Sequence, residues 1–490
     1  MDKPLKQPTQ GRYLLKTLGC KANLYDSQLI EAELQRRGWS PLESGAPSSG
    51  PLLCVVNSCT VTDEADRQSR KMAQRLAREN DDVFVVVTGC AAEVDPERIA
   101  ASKGVDYVIG NRDKPALVEL ILSKISANLS ATRMGERASG ELLGRVAAYE
   151  DFLSKHPMDR EWPVLDAASE RGGGQTQTTR AFVKIQDGCD SFCTYCIIPY
   201  GRGPSRSLRP REIIESIRQL IAGGAREVVL TGTNIGDYGK DWGETPQFTE
   251  LAQMILAETP LERLRLSSLD PTEITSELMA LMEREPRLCP HFHVSLQSPH
   301  SKVLRLMKRR YGFDEVKNCL EKISALHVST PGGVFVGMDI ITGFPGETLE
   351  EFEWGLARLR ELPWTRLHVF PYSERAGTPA TRLSMKVPQA ERVRRARVLS
   401  DLSFERMREH HERLLNSCLK SDSQLTEVLL EKAPRSMGEG LVGYTRNYVR
   451  VSAPAVVGLG RNQLVRFKPQ AMITDRVNSD VTLTGQCSSL

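Results

Sequence analysis

Short apolar runs alternating with amphipathic stretches constrain this chain more than any other feature. YLLKTLG from Tyr13 precedes SQLIEAELQRRGW, LLCVVNSC precedes ADRQSRKMAQRLAREN, and VFVVVTGC precedes the strand-like DYVIGN. Runs of about seven apolar residues fit buried strands, while the longer stretches have helical period. Strand and helix in strict alternation imply a parallel α/β domain, here over residues 11–127. Residues 128–179, with scattered polar residues and GGGQTQTT, have no sustained period and read as a linker or insertion.

Strand-like segments resume at AFVKIQDG and recur at REVVLTGTN, RLRLSSL, HFHVSLQS, VFVGMDIITGFPG and RLHVFPYS, most of them separated by helical patterns. Six such units suit a partial or complete β/α barrel, whose site lies at the C-terminal strand ends. With the charged helix QAERVRRARVLSDLSFERMREHHERLL, this second domain spans 180–420. Beyond it, LTEVLLEKA, GLVGYTRNYVRVSA and NQLVRFKPQAMITDRV are short β-rich runs with turn signals, which predict a small antiparallel barrel over 424–487.

Lys and Arg (65) exceed Asp and Glu (62) by only 3, so a nucleic-acid surface would have to be local. The opening MDKPLKQPTQGRYLL lacks the apolar core of a signal peptide, and no run approaches the roughly 18 apolar residues of a membrane span. A cytoplasmic protein is expected. Reducing conditions there disfavour disulfides, which leaves eleven cysteines to pack as small hydrophobes or to bind metal.

Cys189, Cys193 and Cys196 form a C-x3-C-x2-C loop directly after a predicted strand. Three thiolates so close can hold three irons of a cubane cluster and leave the fourth open. An open iron can chelate the amino and carboxylate groups of S-adenosylmethionine (SAM), whose reductive cleavage releases a 5′-deoxyadenosyl radical. A zinc knuckle is the competing reading, but no fourth Cys or His lies nearby. Cys20, Cys59 and Cys90 each follow a predicted strand, and parallel strands gather their C-terminal ends on one side of the sheet. One such cysteine is usually a buried hydrophobe; three in equivalent places favour a second cluster. Cys54, Cys289, Cys319, Cys418 and Cys487 share no such arrangement and read as packing residues.

This pattern resembles the radical-SAM methylthiotransferases: a three-cysteine N-terminal domain, the central loop with CTYCIIPYGRGPSRS, and a terminal β-barrel like the TRAM domain. The resemblance implies two [4Fe-4S] clusters, an auxiliary one on Cys20, Cys59 and Cys90 and a SAM-binding one on Cys189, Cys193 and Cys196. CTVTDEADRQSRK and TLGCKANLYDSQ look like the branch that acts on N6-threonylcarbamoyladenosine at position 37 of the tRNA anticodon loop. The alternatives within the family are isopentenyladenosine and a ribosomal-protein side chain; outside it stands a non-catalytic, RNA-binding iron–sulfur sensor. SLQSPHSKVL departs from relatives that commonly carry a Gly-Cys-like pair after SLQS. Sulfur and electron donors are expected as further protein partners that the sequence does not name.

The remaining candidates keep two readings each. Thr231, Gly232 and Asn234 end a barrel strand where SAM's methionine end would lie, or form a simple turn. Gly343 opens GFPGE, a SAM-adenosyl contact or a rim turn. Ser295 and Gln297 share one strand face and could meet SAM, substrate or internal partners. Tyr195, inside the cysteine loop, joins these cofactor-binding candidates. Lys308, Arg309 and Arg310, and Arg392, Arg394, Arg395 and Arg397, are basic runs that suit phosphates or a solvated face. Tyr444, Arg446, Asn447, Tyr448 and Arg450 combine stacking and cationic groups that suit RNA, or else an ordinary strand pair and its turn.

Overall fold

The structure is a computed structural model that describes residues 11–42, 51–80, 83–131, 139–148, 162, 179–243, 247–421, 425–431 and 440–490. Residues 172–178 of the GGGQTQTT run and Gln424 lie outside these residues. The chain divides into two compact units, one of residues 1–175, 184–216 and 373–378, the other of 176–183, 217–372 and 379–490.

The first unit is built on six strands: β1 (Arg12–Thr17), β2 (Ser40–Pro41), β3 (Leu52–Ser58), β4 (Val83–Gly89), β5 (Tyr107–Ile109) and β6 (Glu141–Leu143). They form one parallel sheet in the order β2-β1-β3-β4-β5-β6. β3 is buried along its whole length, as the unbroken apolar run demands of a central strand covered on both faces. Val55, Val86 and Ile109 pack on one side with Ile30, Leu34 and Ile121; Cys54, Val56 and Val85 pack on the other with Ala73 and Leu76. Thr62 caps the helix Asp63–Glu79 by accepting a hydrogen bond from the Ala65 amide, a contact typically worth about 1 kcal/mol. The sheet does not stop at 127: the helix Leu117–Ala131 runs on, and β6 pairs with β5 inside the expected linker. Three residues are too few to show a period.

The second unit contains β7 (Arg180–Lys184), with β8 (Gln186–Asp187) and β9 (Arg206–Ser207) of the first unit intervening in sequence before β10 (Glu227–Thr231) and β11 (Arg263–Leu266). β7, β10 and β11 form one sheet; β12 (Ser268–Leu269), β13 (His291–Gln297), β14 (Phe335–Thr342) and β15 (Arg366–Pro371) form a parallel second. β11 and β12 are one run, RLRLSSL, interrupted at Ser267, so the six expected strand positions are all present in an open β/α arrangement.

The helix Gln389–Ser421 leads to a closed barrel of β16 (Leu425–Glu431), β17 (Leu441–Tyr444), β18 (Arg450–Ala453), β19 (Leu464–Asp475) and β20 (Asp480–Ser489). Its order is β16-β17-β18-β20-β19; four of its strand pairs are antiparallel, as expected of a small antiparallel barrel, and the β18–β20 pair is parallel. Odd-numbered closure forces this: five strands in a ring cannot all alternate in direction. Among the described residues no helix is long and apolar enough to cross a membrane.

Candidate iron–sulfur and cofactor site

All six candidate ligand cysteines fall in the first unit. Cys20 is the N-cap residue of the helix Lys21–Arg36, separated from β1 by Leu18 and Gly19, Cys59 follows β3 directly, and Cys90 follows β4 and opens the helix Cys90–Val94. β1, β3 and β4 are neighbours, so three cysteines spread over seventy residues meet at one sheet edge. Gly19 has φ +93°, and a Cβ there would lie 2.6 Å from Cys59 Sγ; only glycine lets the first loop come this close to the second. Gly89 does the same before Cys90, where a Cβ would stand 2.4 Å from the Ser58 carbonyl oxygen.

Cys59 and Cys90 are buried and Cys20 is exposed. Burial, then the neighbouring Cys90 sulfur, pushes the Cys59 thiol up to about 12, and burial likewise raises Cys90. Such thiols ionise only when something replaces the proton, as a metal does. No three Cys, His, Asp or Glu side chains among the described residues converge on the spacing of a single-ion site. A cubane does not ask for that, since each cysteine binds a different iron and the three sulfurs stand wider apart. Mutually sensed thiols at the end of a sheet, two buried and one exposed, fit such a group.

The second trio is held by its backbone. The Cys189 amide donates to the Gly203 carbonyl at 3.0 Å, and the Cys196 amide to the Cys193 carbonyl at 2.9 Å. Phe192 takes φ 47°, the left-handed turn that folds eight residues into a loop presenting three sulfurs. Tyr195 is half-buried in that loop.

A polar cluster not singled out from the sequence lies behind these cysteines. Asp26 accepts from Lys114 and Lys184 at 2.9 Å each and from Arg202 at 3.0 Å; Asp187 accepts from Arg202 at 2.8 Å and Lys184 at 3.1 Å. Although burial opposes their charges, these cations hold both carboxyls well below the usual carboxylate range. Asn23 Nδ2 donates to the carbonyls of Leu18 and Ser58, two residues before Cys20 and one before Cys59. The signal was present: Asn23 and Ser27 share a helical stripe with Ile30 and Leu34, and all four are buried. Polar residues on an apolar stripe need buried partners.

In the second unit, Thr231 is buried as the last residue of β10, and Gly232 is half-buried beside it. The Asn234 side chain donates to Asp237 at 2.9 Å and Glu273 at 3.2 Å. Ser295 and Gln297 are half-buried on β13, but the register shifts between Val294 and Gln297 and Gln297 takes φ 62°, so the plain alternation read from the sequence is interrupted there. His293 on the same strand pairs with Asp339 at 2.8 Å and stacks on His368. Gly343 is buried where a Cβ would stand 2.5 Å from Arg392 Cγ, and its amide donates to Glu347 at 2.7 Å.

The basic runs are not a solvated face throughout. Arg392 is buried with its guanidinium on the Val387 and Tyr372 carbonyls, and Arg395 is buried on Glu347. Arg394 pairs with Glu391 in solvent, and Arg309 pairs with Asp270. The Tyr444–Arg450 segment is likewise not a free surface. It is the turn joining β17 to β18, and none of its side chains is exposed. Tyr448 stacks on Tyr444 and packs on His291, with Arg180 and Arg265 over its ring; Arg446 bonds Glu427 and the Pro286 carbonyl; Arg450 pairs with Asp480; Asn447 donates to Pro331 and Gly333. Its partners on β7, β11 and the start of β13 show that it fixes the barrel to the second unit's strands.

Comparison with known proteins then decides the family. Residues 183–356 match the model described as the Radical SAM superfamily, and residues 12–110 match the model described as "Uncharacterized protein family UPF0004". The threonylcarbamoyladenosine tRNA methylthiotransferase MtaB of Bacillus subtilis (strain 168) is 34% identical over 89% of this chain and 88% of its own length. The chain belongs to the radical-SAM methylthiotransferase family. The MtaB of Rickettsia prowazekii (strain Madrid E) is 33% identical over 92% of this chain and 93% of its own. A tRNA-2-methylthio-N(6)-dimethylallyladenosine synthase of Carboxydothermus hydrogenoformans is 31% identical over 89% and 91%. Among solved structures, the radical S-adenosylmethionine methyltransferase TsrM of Kitasatospora setae with tryptophan and aza-SAM bound matches with a TM-score of 0.51 at 16% identity, covering 75% of each chain. That likeness shows a shared fold. Methylthiotransferase membership thus joins the α/β sheet of the first unit to the radical-SAM strands of the second.

Proposed function

We propose that this methylthiotransferase converts N6-threonylcarbamoyladenosine at position 37 of the tRNA anticodon loop to its 2-methylthio derivative, in the cytoplasm. The match to threonylcarbamoyladenosine enzymes over nearly the whole chain carries this reading. The residues following Cys20 and Cys59, KANLYDSQ and TVTDEADRQSRK, support it. The C2–H bond of adenine is beyond any side-chain base at neutral pH, so a radical is needed. With SAM and two [4Fe-4S] clusters bound, one SAM would supply that radical by reductive cleavage, a second SAM the methyl group, and the auxiliary cluster the sulfur.

The protein's own residues do the rest. Cys189, Cys193 and Cys196 hold three irons and leave one coordination site for SAM, with Tyr195, Thr231, Gly232, Asn234, Ser295, Gln297 and Gly343 as candidates to orient it. Cys20, Cys59 and Cys90 hold the second group. The buried surroundings of Cys59 and Cys90 exclude water that would quench reactive species. An anticodon-loop nucleotide is unpaired and can be splayed out to enter.

The test is nucleoside mass spectrometry after incubating the anaerobically reconstituted enzyme, SAM and reductant with two tRNAs, one carrying threonylcarbamoyladenosine and one isopentenyladenosine. Methylthiolation of the first and not the second is expected. The reverse result would move the chain to the other tRNA branch.

A further inference from the structure

Arg202 ends the short helix Ile198–Arg202 within IIPYGRGPSRS, a stretch to which the ligand assignments give no task. It is 3% exposed. Its Nη1 donates to both oxygens of Asp187, at 2.8 and 3.0 Å, and its Nη2 to Asn23 Oδ1 at 2.5 Å and Asp26 Oδ2 at 3.0 Å. Nε has no partner. A buried guanidinium N–H without an acceptor is costly, and natural cores rarely keep one without a use.

The surroundings name the use. Through Asn23, Arg202 reaches the Leu18 and Ser58 carbonyls that lead into Cys20 and Cys59. Its neighbour Gly201 lies against Cys90, where a Cβ on the glycine would stand 3.4 Å from the cysteine Cβ. Asn111 bridges the same two partners, donating to the Gly201 carbonyl at 2.6 Å and to Cys90 Sγ at 3.5 Å. On its other side, Gly203 accepts from the Cys189 amide. Three cations, Lys114, Lys184 and Arg202, face two carboxylates, Asp26 and Asp187, which leaves one positive charge in excess beside three thiols.

We propose that Arg202 is a positioning residue for the auxiliary cluster: it locks the three loops bearing Cys20, Cys59 and Cys90, and its Nε–H and surplus charge stabilise the sulfur-rich anion bound there. Resting on the two-cluster reading above, this goes further by assigning the cluster's charge partner. Burial opposes the charge of Arg202, yet Asp187, the Cys90 sulfur, Asp26 and the Cys20 sulfur keep its pKa well above the ordinary arginine value. Because the reduced cluster carries one more negative charge, a fixed cation beside it favours reduction.

The experiment is an EPR-monitored redox titration of full-length, anaerobically reconstituted protein in which Cys189, Cys193 and Cys196 are all alanine, so that only the auxiliary cluster is read. Absence of any cluster in that background would overturn the two-cluster reading itself. With the cluster present, Arg202→Met is expected to shift the reduction equilibrium at least tenfold toward the oxidised form, 59 mV for one electron. Arg202→Lys should recover most of that shift. Asp26→Asn, which keeps the guanidinium and removes an anion, should move the potential the opposite way; it decides the matter if Arg202→Met does not fold. Midpoints within a twofold change of the parent for the folded variants overturn the proposal.

Discussion

Two buried arginine clusters in this molecule are built from the same groups and end differently. In the first unit, Arg202 shares Asp26 and Asp187 with Lys114 and Lys184, and among the described residues its Nε–H has no partner, as is also true of Arg263 Nε and Nη2 and Arg265 Nη1 in the second. In the second, Glu227 faces Arg263 at 3.4 Å and Arg265 at 2.7 Å, and burial notwithstanding, Arg265 foremost holds its carboxyl down to about 2. Positive charge is in excess there as well, but the Arg265 guanidinium lies 4.8 Å and Arg180 5.3 Å from the centre of the Tyr448 ring. An aromatic face can absorb a desolvated cation. In the first unit the Tyr25 ring lies under Lys184, 5.7 Å from its Nζ, and the Arg202 charge falls, on the proposal above, to the auxiliary cluster.

The largest expected effects separate the two cysteine trios. Cys193→Ala should abolish both 5′-deoxyadenosine formation and tRNA modification, because it removes one of three ligands to the SAM-binding cluster. Cys59→Ala should abolish the modified nucleoside while radical cleavage of SAM survives in part, since its loop serves the other cluster. Chromatography of 5′-deoxyadenosine beside mass spectrometry of digested tRNA reads both. Methylthiolated tRNA at the wild-type level from the Cys59 variant would remove Cys59 from the ligand set.

Legibility in the sequence followed how local each feature is. The C-x3-C-x2-C loop is contained in eight residues, and the six strand positions of the radical-SAM region show as separate apolar runs. Cys20, Cys59 and Cys90 could be gathered because parallel topology is a rule, not a residue contact. The Arg202 cluster depends on partners 176 and 179 positions away, and no periodicity records such a pairing. Tyr444 to Arg450 was readable as a turn and equally as an RNA surface. Alternating tyrosine and arginine looks the same whether it meets phosphates or a buried Glu–Arg cluster, and only the tertiary partners distinguish them.

The second cluster supplies a test of its architectural role. Tyr448→Ala strips the ring from Arg180, Arg265 and His291 and leaves a cavity beside desolvated charge, so a loss of about 4 kcal/mol is expected in urea unfolding of the second unit's transition. Tyr448→Phe keeps the ring and loses only the hydroxyl that accepts from Arg180, which should cost about 1–2 kcal/mol. Equal losses for the two variants would mean that the hydroxyl, and not the π face, holds the guanidinium groups. In contrast to the Arg202 variants, neither should move the auxiliary cluster's potential.

The opposite imbalance, too much negative charge, occurs at Glu273 and gives the most pH-specific effect. Burial, then the neighbouring Asp270, pushes the Glu273 carboxyl up to about 7, and its oxygens press against Gly236, where a Cβ would stand only 2.1 Å away. A carboxyl whose folded pKa lies above its unfolded value near 4.5 stabilises the fold fully below pH 4.5, and that contribution is lost as pH rises through 7. The shift corresponds to roughly 3 kcal/mol of stability lost across that window. Glu273→Gln cannot ionise, keeps a hydrogen-bonding side chain of the same shape, and should flatten the difference. The measurement is the urea midpoint of wild type and variant at pH 5.5 and pH 8. Wild type should lose stability relative to the glutamine variant on going to pH 8. Parallel behaviour at both values would mean that Lys240, 3.9 Å away, already neutralises the ionised carboxylate, and that this site, like the Tyr448 cluster, holds its own counter-charge.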